Sequence, residues 1–406
     1  MTVFYGADAM RSFFKKQSLP NAGCARGLVR AYTPNGWFPV KPVKPFFLQL
    51  ALLVIFTFTS YSVSGADVYA AGTYKDGGVR TACYWKNGTR TDTQSVSDSY
   101  AYAIAVEGTD VYMAGGYVDG VSKACYWKNG TRINLPAGES SSIAYAVTVA
   151  GGLVYTAGWY YDGGVRKACY WKGTAITDIH PAEASDASLA AAVAVAGTDV
   201  YTAGWYTGGG VLKACYWIND IRTDMNSYSN TETVTDAGDS LGGGAGGAYS
   251  RTNDTSTNLN FNLSTNISAI TVAAGVVYTA GSYSYSGNSK ACYWKGTVRT
   301  DLHTASNADA ASITTAGADV YTAGYYTDSG VIKACYWKGR VRTDLHAASV
   351  SKAYAITAAG ADIYTAGYYE DGGVSKACYW KSTVKTDLPV PAGASESFVY
   401  GIAVTD

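Results

Sequence analysis

The sequence is poor in the residues and patterns that mark familiar catalytic and metal sites. It has 3 histidines, and it contains no Cys-x-x-Cys, no phosphate-binding glycine loop and no His-Glu-x-x-His. Sequence support for a zinc site or a nucleotide site is therefore missing, and we predict neither a cofactor nor a metal. Its 31 basic and 31 acidic residues cancel, so the charge balance predicts no nucleic-acid partner.

One short phrase is abundant instead. Ala-Cys-Tyr-Trp occurs seven times, at intervals of 42, 44, 46, 77, 43 and 43 residues. Its cysteines are Cys83, Cys125, Cys169, Cys215, Cys292, Cys335 and Cys378. A period near 43 residues with strand chemistry throughout is typical of a propeller blade. The sequence therefore predicts an all-β fold, a seven-bladed β-propeller.

The second copy shows how one blade is divided. We predict strands over residues 101–106, 111–117, 123–128 and 131–135, with no helical periodicity between them. Asp119-Gly120 and Asn129-Gly130 separate consecutive strands, and such pairs favour tight hairpin turns. Each blade is thus predicted to be a four-stranded antiparallel sheet.

The residues that are identical in all seven copies are interpreted as structural residues that pack the blades together. A tyrosine of the second strand, the glycine three residues later and another tyrosine two residues beyond occur in all seven copies. Neighbouring blades lie about 10 Å apart, whereas a disulfide needs Cα atoms within about 7 Å. We therefore interpret the repeat cysteines as small buried residues, neither disulfide-bonded nor metal-binding.

The chain ends predict how the ring closes. Residues 399–404 match the first strand of a further copy, whereas the first blade begins with its second strand at residues 67–72. The C-terminal strand is expected to complete the first blade, which gives a propeller over residues 65–406. Closure also removes exposed sheet edges.

The N-terminal region contains the one targeting signal. Residues 46–58 form a 13-residue largely apolar run after Lys41 and Lys44, too short to span a bilayer comfortably. Ser62 and Ser64 suit a cleavage site, so residues 41–64 are predicted to be a signal peptide or short anchor and the protein to be exported. Residues 1–40 are an extension outside the repeat, with two interpretations: translation begins near Val40, or they form a long leader.

The 77-residue interval marks an insertion at about residues 226–266, rich in Ser, Thr, Asn, Gly and Asp. This composition predicts a disordered surface loop. The alternative is a loop that lines a binding site. Lysines precede the repeated phrase in six copies and would form a basic ring, but acidic residues recur as regularly.

The succession Gly-x-x-Val-Tyr-x-Ala-Gly, Ala-Cys-Tyr-Trp-Lys-Asn-Gly and Thr-Asp-Leu resembles bacterial extracellular β-propeller repeats of the HAF type, over residues 66–406. Here Cys-Tyr stands where that family has Phe-Leu before the tryptophan. The resemblance implies an exported repeat protein and brings no established activity with it.

Candidate binding residues were sought where the copies differ, because a ligand site in a ring is asymmetric. The residue after the second-strand glycine varies, and it is aromatic on four blades: Trp159, Trp205, Tyr325 and Tyr368. Aromatic rings stack on sugar faces, so these four are candidate carbohydrate-binding residues; the alternative is that they fill gaps between blades. His180, His303 and His346 occupy equivalent positions and are interpreted as loop residues, with a shared metal as the alternative.

The sequence favours an exported, non-enzymatic, monomeric binding or scaffold protein, with a glycan or a protein on one propeller face. A membrane contact is expected only through the N-terminal segment, if it is uncleaved. The alternative is a polysaccharide-active hydrolase or lyase. Four separate, similar sites would favour a lectin, and one central pocket with two unpaired carboxylates would favour the enzyme.

Overall fold

The computed structural model describes residues 30–33, 36–39, 66–93, 97–137, 140–182, 187–225, 265–285, 287–303, 307–346 and 348–405. By its contacts the chain divides into two units, residues 1–63 and 64–406. In the first unit, β1 (Arg30–Thr33) and β2 (Gly36–Pro39) form a two-stranded antiparallel sheet. The predicted signal peptide lies outside the described residues. Within the described part, no helix is long and apolar enough to cross a membrane.

The second unit is a seven-bladed β-propeller of four-stranded antiparallel sheets, as predicted. The first strands of the blades are β6 (Ser99–Glu107), β10 (Ser142–Ala150), β14 (Ser188–Ala196), β18 (Thr265–Ala273), β22 (Ala308–Ala316), β26 (Ser351–Ala359) and β30 (Glu396–Thr405). The second strands are β3 (Asp67–Asp76), β7 (Asp110–Asp119), β11 (Leu153–Asp162), β15 (Asp199–Gly208), β19 (Val276–Tyr285), β23 (Asp319–Asp328) and β27 (Asp362–Asp371).

The outer half of each blade holds the repeated phrase. The third strands are β4 (Val79–Lys86), β8 (Val121–Lys128), β12 (Val165–Lys172), β16 (Val211–Ile218), β20 (Asn288–Lys295), β24 (Val331–Lys338) and β28 (Val374–Lys381). The fourth strands are β5 (Thr89–Asp92), β9 (Thr131–Asn134), β13 (Ala175–Asp178), β17 (Ile221–Asp224), β21 (Val298–Asp301), β25 (Val341–Asp344) and β29 (Val384–Asp387). First strands contact one another from blade to blade and surround the central channel.

The C-terminal strand closes the ring. β30 pairs with β3, so blade 1 has the order β30-β3-β4-β5, and blades 2 to 7 follow in chain order. Arg80 of β4 forms a 2.6 Å ion pair with Glu396 of β30, and the amide of Ser395 donates to the carbonyl of Lys75 at 2.9 Å. The predicted closure is confirmed.

The hydrophobic core lies between the blades. One representative cluster joins Tyr155 and Ala168 of blade 3 to Val193, Cys215 and Trp217 of blade 4. All seven tryptophans of the repeated phrase are at most 1% exposed, and all seven cysteines are 0% exposed. The repeated phrase is therefore a packing motif, and its cysteines are buried free thiols.

We expect these seven thiols to resist iodoacetamide in the folded chain and to react together on unfolding. Burial excludes the reagent and, for the thiols of Cys83 and Cys169, raises the pKa well above its usual value, so the reactive thiolate is absent. Peptide mapping by mass spectrometry reports each site separately. Labelling of any repeat cysteine under native conditions would contradict the described core.

A backbone bulge explains the glycine found in every second strand. In each blade the register between first and second strands shifts by one residue, for example between Ala190 and Ala192 in blade 4. The shift brings a first-strand carbonyl over the glycine: a Cβ on Gly204 would lie 1.9 Å from the carbonyl oxygen of Leu189. Equivalent approaches of 1.7–1.9 Å recur in all blades, so only glycine fits.

Salt bridges neutralise much of the lysine ring that the sequence predicts. Four of its six lysines pair at 2.6–2.7 Å with an aspartate at the end of the second strand of the same blade. The pairs are Lys123–Asp119, Lys167–Asp162, Lys333–Asp328 and Lys376–Asp371. The ring therefore presents alternating charge instead of a basic surface.

Candidate ligand-binding cavity

The four candidate aromatics lie beside the first strands, each paired with a second variable position. The register pairs are Trp159–Ile143, Trp205–Leu189, Tyr325–Asp309 and Tyr368–Lys352. In every blade this pair lies just before the bulge. The residue after the second-strand glycine varies between blades, and so does its hydrogen-bonded partner on the first strand, which surrounds the channel.

The structure separates the four candidates into two groups. Trp159 and Tyr368 are only 8% exposed and are covered by other rings. Trp159 meets Tyr161 edge-on at 5.2 Å between ring centroids, and Tyr368 meets Phe398 edge-on at 5.0 Å. Trp205 and Tyr325 line the central cavity instead. The four residues thus do not form four similar exposed sites.

The bulge directs one side chain of each blade into the central channel. Ala101 and Ile104 of β6 enter the same interblade core, although a regular strand would place residues three apart on opposite faces. Tyr102, between them, lines the cavity. The equivalent residues, from blade 1 to blade 7, are Tyr400, Tyr102, Tyr145, Ala191, Ser268, Ala311 and Tyr354.

These seven positions divide the channel into two unequal sides. Blades 7, 1, 2 and 3 contribute tyrosines, which we call the tyrosine arc: Tyr354, Tyr400, Tyr102 and Tyr145. Successive ring centroids along it are 5.2, 5.7 and 5.2 Å apart. Burial raises the phenol pKa throughout most of the arc, to about 12 for Tyr400, so these rings stay neutral and keep their O–H donors.

Blades 4 to 6 carry Ala191, Ser268 and Ala311 at the bulge, and the missing rings leave a cavity of about 360 Å³. This volume lies at the small end of the range for ligand sites, about 300–1,000 Å³. Besides the bulge residues and Ile267, the described lining comprises Leu189, Trp205, Asn266, Asp309 and Tyr325. Aromatic, aliphatic and hydrogen-bonding groups therefore face one open cavity.

Asp309 is the one acidic residue in that lining. Burial raises the pKa of its carboxyl, and the nearby hydroxyls of Ser282 and Tyr325 only partly oppose the effect. Tyr325 donates its O–H to Oδ2 at a long 3.4 Å. Oδ1 is buried and has no hydrogen-bond partner among the described residues. The lining thus contains a carboxyl group whose ionised form is disfavoured by burial and whose Oδ1 can still accept a hydrogen bond.

Two of the chain's own cations lie on aromatic rings of the lining. The Lys352 ammonium is 4.3 Å from the centroid of the Tyr325 ring, and the Arg166 guanidinium is 4.6 Å from that of Trp205. Neither cation is itself part of the described lining. Each cation lies over one face of its ring and stabilises the position of that ring, since the face of an aromatic ring attracts a cation.

The histidines lie at the ends of the fourth strands and take part in local contacts. A ring nitrogen of His180 is 2.7 Å from the Ser188 hydroxyl, and one of His346 is 3.1 Å from that of Ser349. The His303 ring packs on Tyr326 at 5.4 Å. Burial lowers the pKa of all three imidazoles. No group of three metal-ligating side chains occurs among the described residues.

The insertion lies almost wholly outside the described residues. β18 begins at Thr265, so the last two residues assigned to the insertion belong to blade 5, and Asn266 lines the cavity. Residues 238–242 of the insertion read Gly-Asp-Ser-Leu-Gly, which matches the short pattern of a hydrolase nucleophile turn. That pattern has meaning only between a strand and a helix, so it carries no assignment here.

Alignment of the seven copies on the second-strand glycine would have revealed the residues that sequence reasoning missed. The position two residues before the bulge reads Phe398, Tyr100, Ile143, Leu189, Asn266, Asp309 and Lys352. No two blades have the same residue at this position, whereas the packing positions around it are repeated from blade to blade. Its side of the strand, however, depends on the bulge, and the bulge is invisible in an alternating sequence pattern.

Comparisons with known proteins add no functional information. A scan of protein-family models found no match to the chain, and a search of curated proteins found none. Among solved structures, the chain is similar to one in the crystal structure of a nidogen/laminin complex. The two share 10% identity over 83% of this chain and 98% of that chain, with a TM-score of 0.38. So distant a likeness carries no argument, and the cavity is interpreted from its own residues.

Proposed function

We propose that this propeller is a binding protein that holds one small ligand in its central cavity, and that the ligand is a saccharide. The observation that carries the proposal is a break in the repetition: within the strands of seven similar blades, the positions that line one cavity differ from blade to blade. Trp205 and Tyr325 offer rings for stacking, whereas Asn266, Ser268 and Asp309 offer hydrogen-bonding groups. This combination suits a sugar, which has apolar ring faces and polar edges.

A binding role accounts for the site better than hydrolysis does. Glycoside hydrolysis by the common route needs a pair of carboxyl groups on either side of the scissile bond. The described lining of the cavity has one, Asp309. A ligand held in this central cavity would bind once per ring, unlike the multivalent binding of a lectin with several equal sites.

Ala311→Tyr is expected to weaken binding strongly while the ring stays folded. The substitution introduces the residue that four other blades carry at the same position, so the backbone accommodates it, but the new ring fills the open side of the cavity. We expect at least about a tenfold loss of affinity, which corresponds to about 1.4 kcal/mol. Isothermal titration with mono- and disaccharides, both neutral and amine-bearing, measures the effect.

Ala175→Tyr is the matched control, because Ala175 is exposed on the outermost strand of blade 3. It makes the same chemical change far from the channel and should leave saccharide affinity unaltered. Equal affinity of Ala311→Tyr and wild type would place the ligand elsewhere. If no saccharide binds the folded wild type, the saccharide proposal fails and a protein ligand becomes the leading interpretation.

We also propose that the protein is exported, through the apolar run at residues 46–58 and its basic flank. N-terminal sequencing of the protein recovered outside the cytoplasm tests this. A new terminus near residue 65 would support cleavage of the leader. Retention of the whole protein in the cytoplasm would contradict export.

A further inference from the structure

Asp309 is the only group in the described lining of the cavity that carries a full charge at neutral pH when ionised. We propose that the cavity selects saccharides that bear a protonated amine, with the ammonium group against the carboxylate of Asp309 and the sugar ring against the aromatic walls. This inference rests on the proposed function above and specifies its ligand class.

The acceptor capacity of Asp309 is the first step of the argument. Oδ2 accepts a long hydrogen bond from the Tyr325 hydroxyl, and the Ser282 hydroxyl and the Ala310 amide also stabilise the carboxylate. Oδ1 is buried and has no hydrogen-bond partner among the described residues. Because the last torsion of an aspartate side chain is broad, a small rotation lets either oxygen meet a ligand in the cavity. An ammonium group brings three donors and a compensating charge, and such charge-assisted hydrogen bonds are about twice as strong as neutral ones.

Another buried acidic residue of the propeller has a cationic partner within the chain, whereas Asp309 has no described ion pair. In blade 5, Asp301 is buried and pairs with Arg299 at 2.8 Å, with both side chains at most 6% exposed. The charge of Lys352 lowers the pKa of Asp309, yet its ammonium lies over the Tyr325 ring and forms no described ion pair with the carboxylate. The chain thus leaves Asp309 without an ion pair, and a cationic ligand in the cavity would offset the effect of burial that raises the pKa of its carboxyl.

The tyrosine arc supports the same ligand from the other side. The negative face of a neutral aromatic ring attracts an ammonium, so a cation is stabilised wherever it lies between the carboxylate and the rings. Burial raises the phenol pKa of Tyr102, Tyr354 and Tyr400, so these three remain neutral and can donate hydrogen bonds to the hydroxyls of the sugar. An anionic sugar, by contrast, would meet the carboxylate of Asp309 at close range.

Three related sugars test the proposal when titrated into the full chain at neutral pH: glucosamine, glucose and N-acetylglucosamine. Glucose replaces the amine by a hydroxyl of similar size, whereas N-acetylglucosamine removes the charge by adding an acetyl group. We expect glucosamine to bind about tenfold more tightly than either neutral sugar, as one charge-assisted hydrogen bond implies. In Asp309→Asn the affinity for glucosamine should become about equal to that for the neutral sugars, because the amide keeps the shape of the side chain and removes its charge. Asp344→Asn, on the outermost strand of the same blade, should leave it unchanged.

The outcomes separate this inference from the proposed function. Equal binding of the three sugars would overturn the preference for an amine and leave saccharide binding intact. Absence of binding by all three and by the wider saccharide panel would overturn both. A preference for glucosamine that persists in Asp309→Asn would assign the charge recognition to another group and overturn the role of Asp309. Should Asp309→Asn fail to fold, the comparison of the three sugars on the wild type decides alone.

Discussion

Removal of residues 395–406 is expected to abolish the cooperative unfolding transition of the propeller. The deletion takes away β30, the first strand of blade 1, and leaves β3 as an open edge. Val399 and Ile402 of this strand are buried, and Phe398 and Tyr400 are partly buried. Their burial contributes on the order of 5–10 kcal/mol, as much as the whole stability of a typical domain.

The deleted strand also joins blade 1 to its neighbour. The Ser397 hydroxyl accepts the amide hydrogen of Ala377 in blade 7 at 2.9 Å, so both sides of the closure are lost together. Thermal unfolding followed by circular dichroism, with iodoacetamide labelling of the repeat cysteines, measures the effect. Deletion of the last two residues alone is the control, because it leaves most of the strand pairs. A synthetic peptide of residues 391–406 should restore the transition when added back.

A truncated chain that melts within a few degrees of the full chain would show that seven blades close without this strand. Cys83 of blade 1 reports most directly, since it packs in the same cluster as Val399 and Ala377. Labelling confined to Cys83 would indicate local opening of the ring. Labelling of all seven would indicate global unfolding.

Gly204→Ala is expected to destabilise the ring by about 3 kcal/mol, at the upper end of the cost of overpacking. The added methyl group would lie 1.9 Å from the carbonyl oxygen of Leu189, and both groups belong to the backbone of paired strands. Neither can move without breaking the register at the bulge. Urea denaturation followed by tryptophan fluorescence gives the change in the free energy of unfolding.

Gly208→Ala, at the end of the same strand, is the matched control. There the nearest atoms belong to the side chains of Tyr206 and Lys213, at 3.2 and 3.3 Å, which can shift. We expect a change below about 1 kcal/mol, because a small surface change away from backbone contacts is well tolerated. If the two variants were equally stable, the close approach at the bulge would not be the reason for the repeated glycine.

The fold was predictable because its determinants repeat. Seven repeated tryptophans identify the blades, at intervals of 42–46 residues except for the one 77-residue interval. Asn129-Gly130 identifies a hairpin whose two residues both adopt positive φ, 51° and 81°. The C-terminal segment resembles a first strand and the first blade begins with its second strand, which predicts the pairing of β30 with β3. Each of these signals is local in sequence, or is repeated often enough to be recognised without a structure.

The candidate site was predictable only in part, since its geometry depends on the bulge. Trp205 and Tyr325 line the cavity, but the equivalent Trp159 and Tyr368 are covered by neighbouring rings. The difference comes from side chains on adjacent strands and blades, such as Phe398 beside Tyr368. Asp309 shows the same limit: no spacing in the sequence indicates that its carboxyl lies within a cavity.

The bulge has a consequence for protein engineering. It places one side chain per blade in the channel at a position that does not belong to the interblade clusters, as Tyr102 illustrates between Ala101 and Ile104. A combinatorial library over these seven positions would vary the size and polarity of the cavity while the repeated scaffold stays the same. The scaffold therefore offers a family of small-molecule receptors that differ at only seven residues.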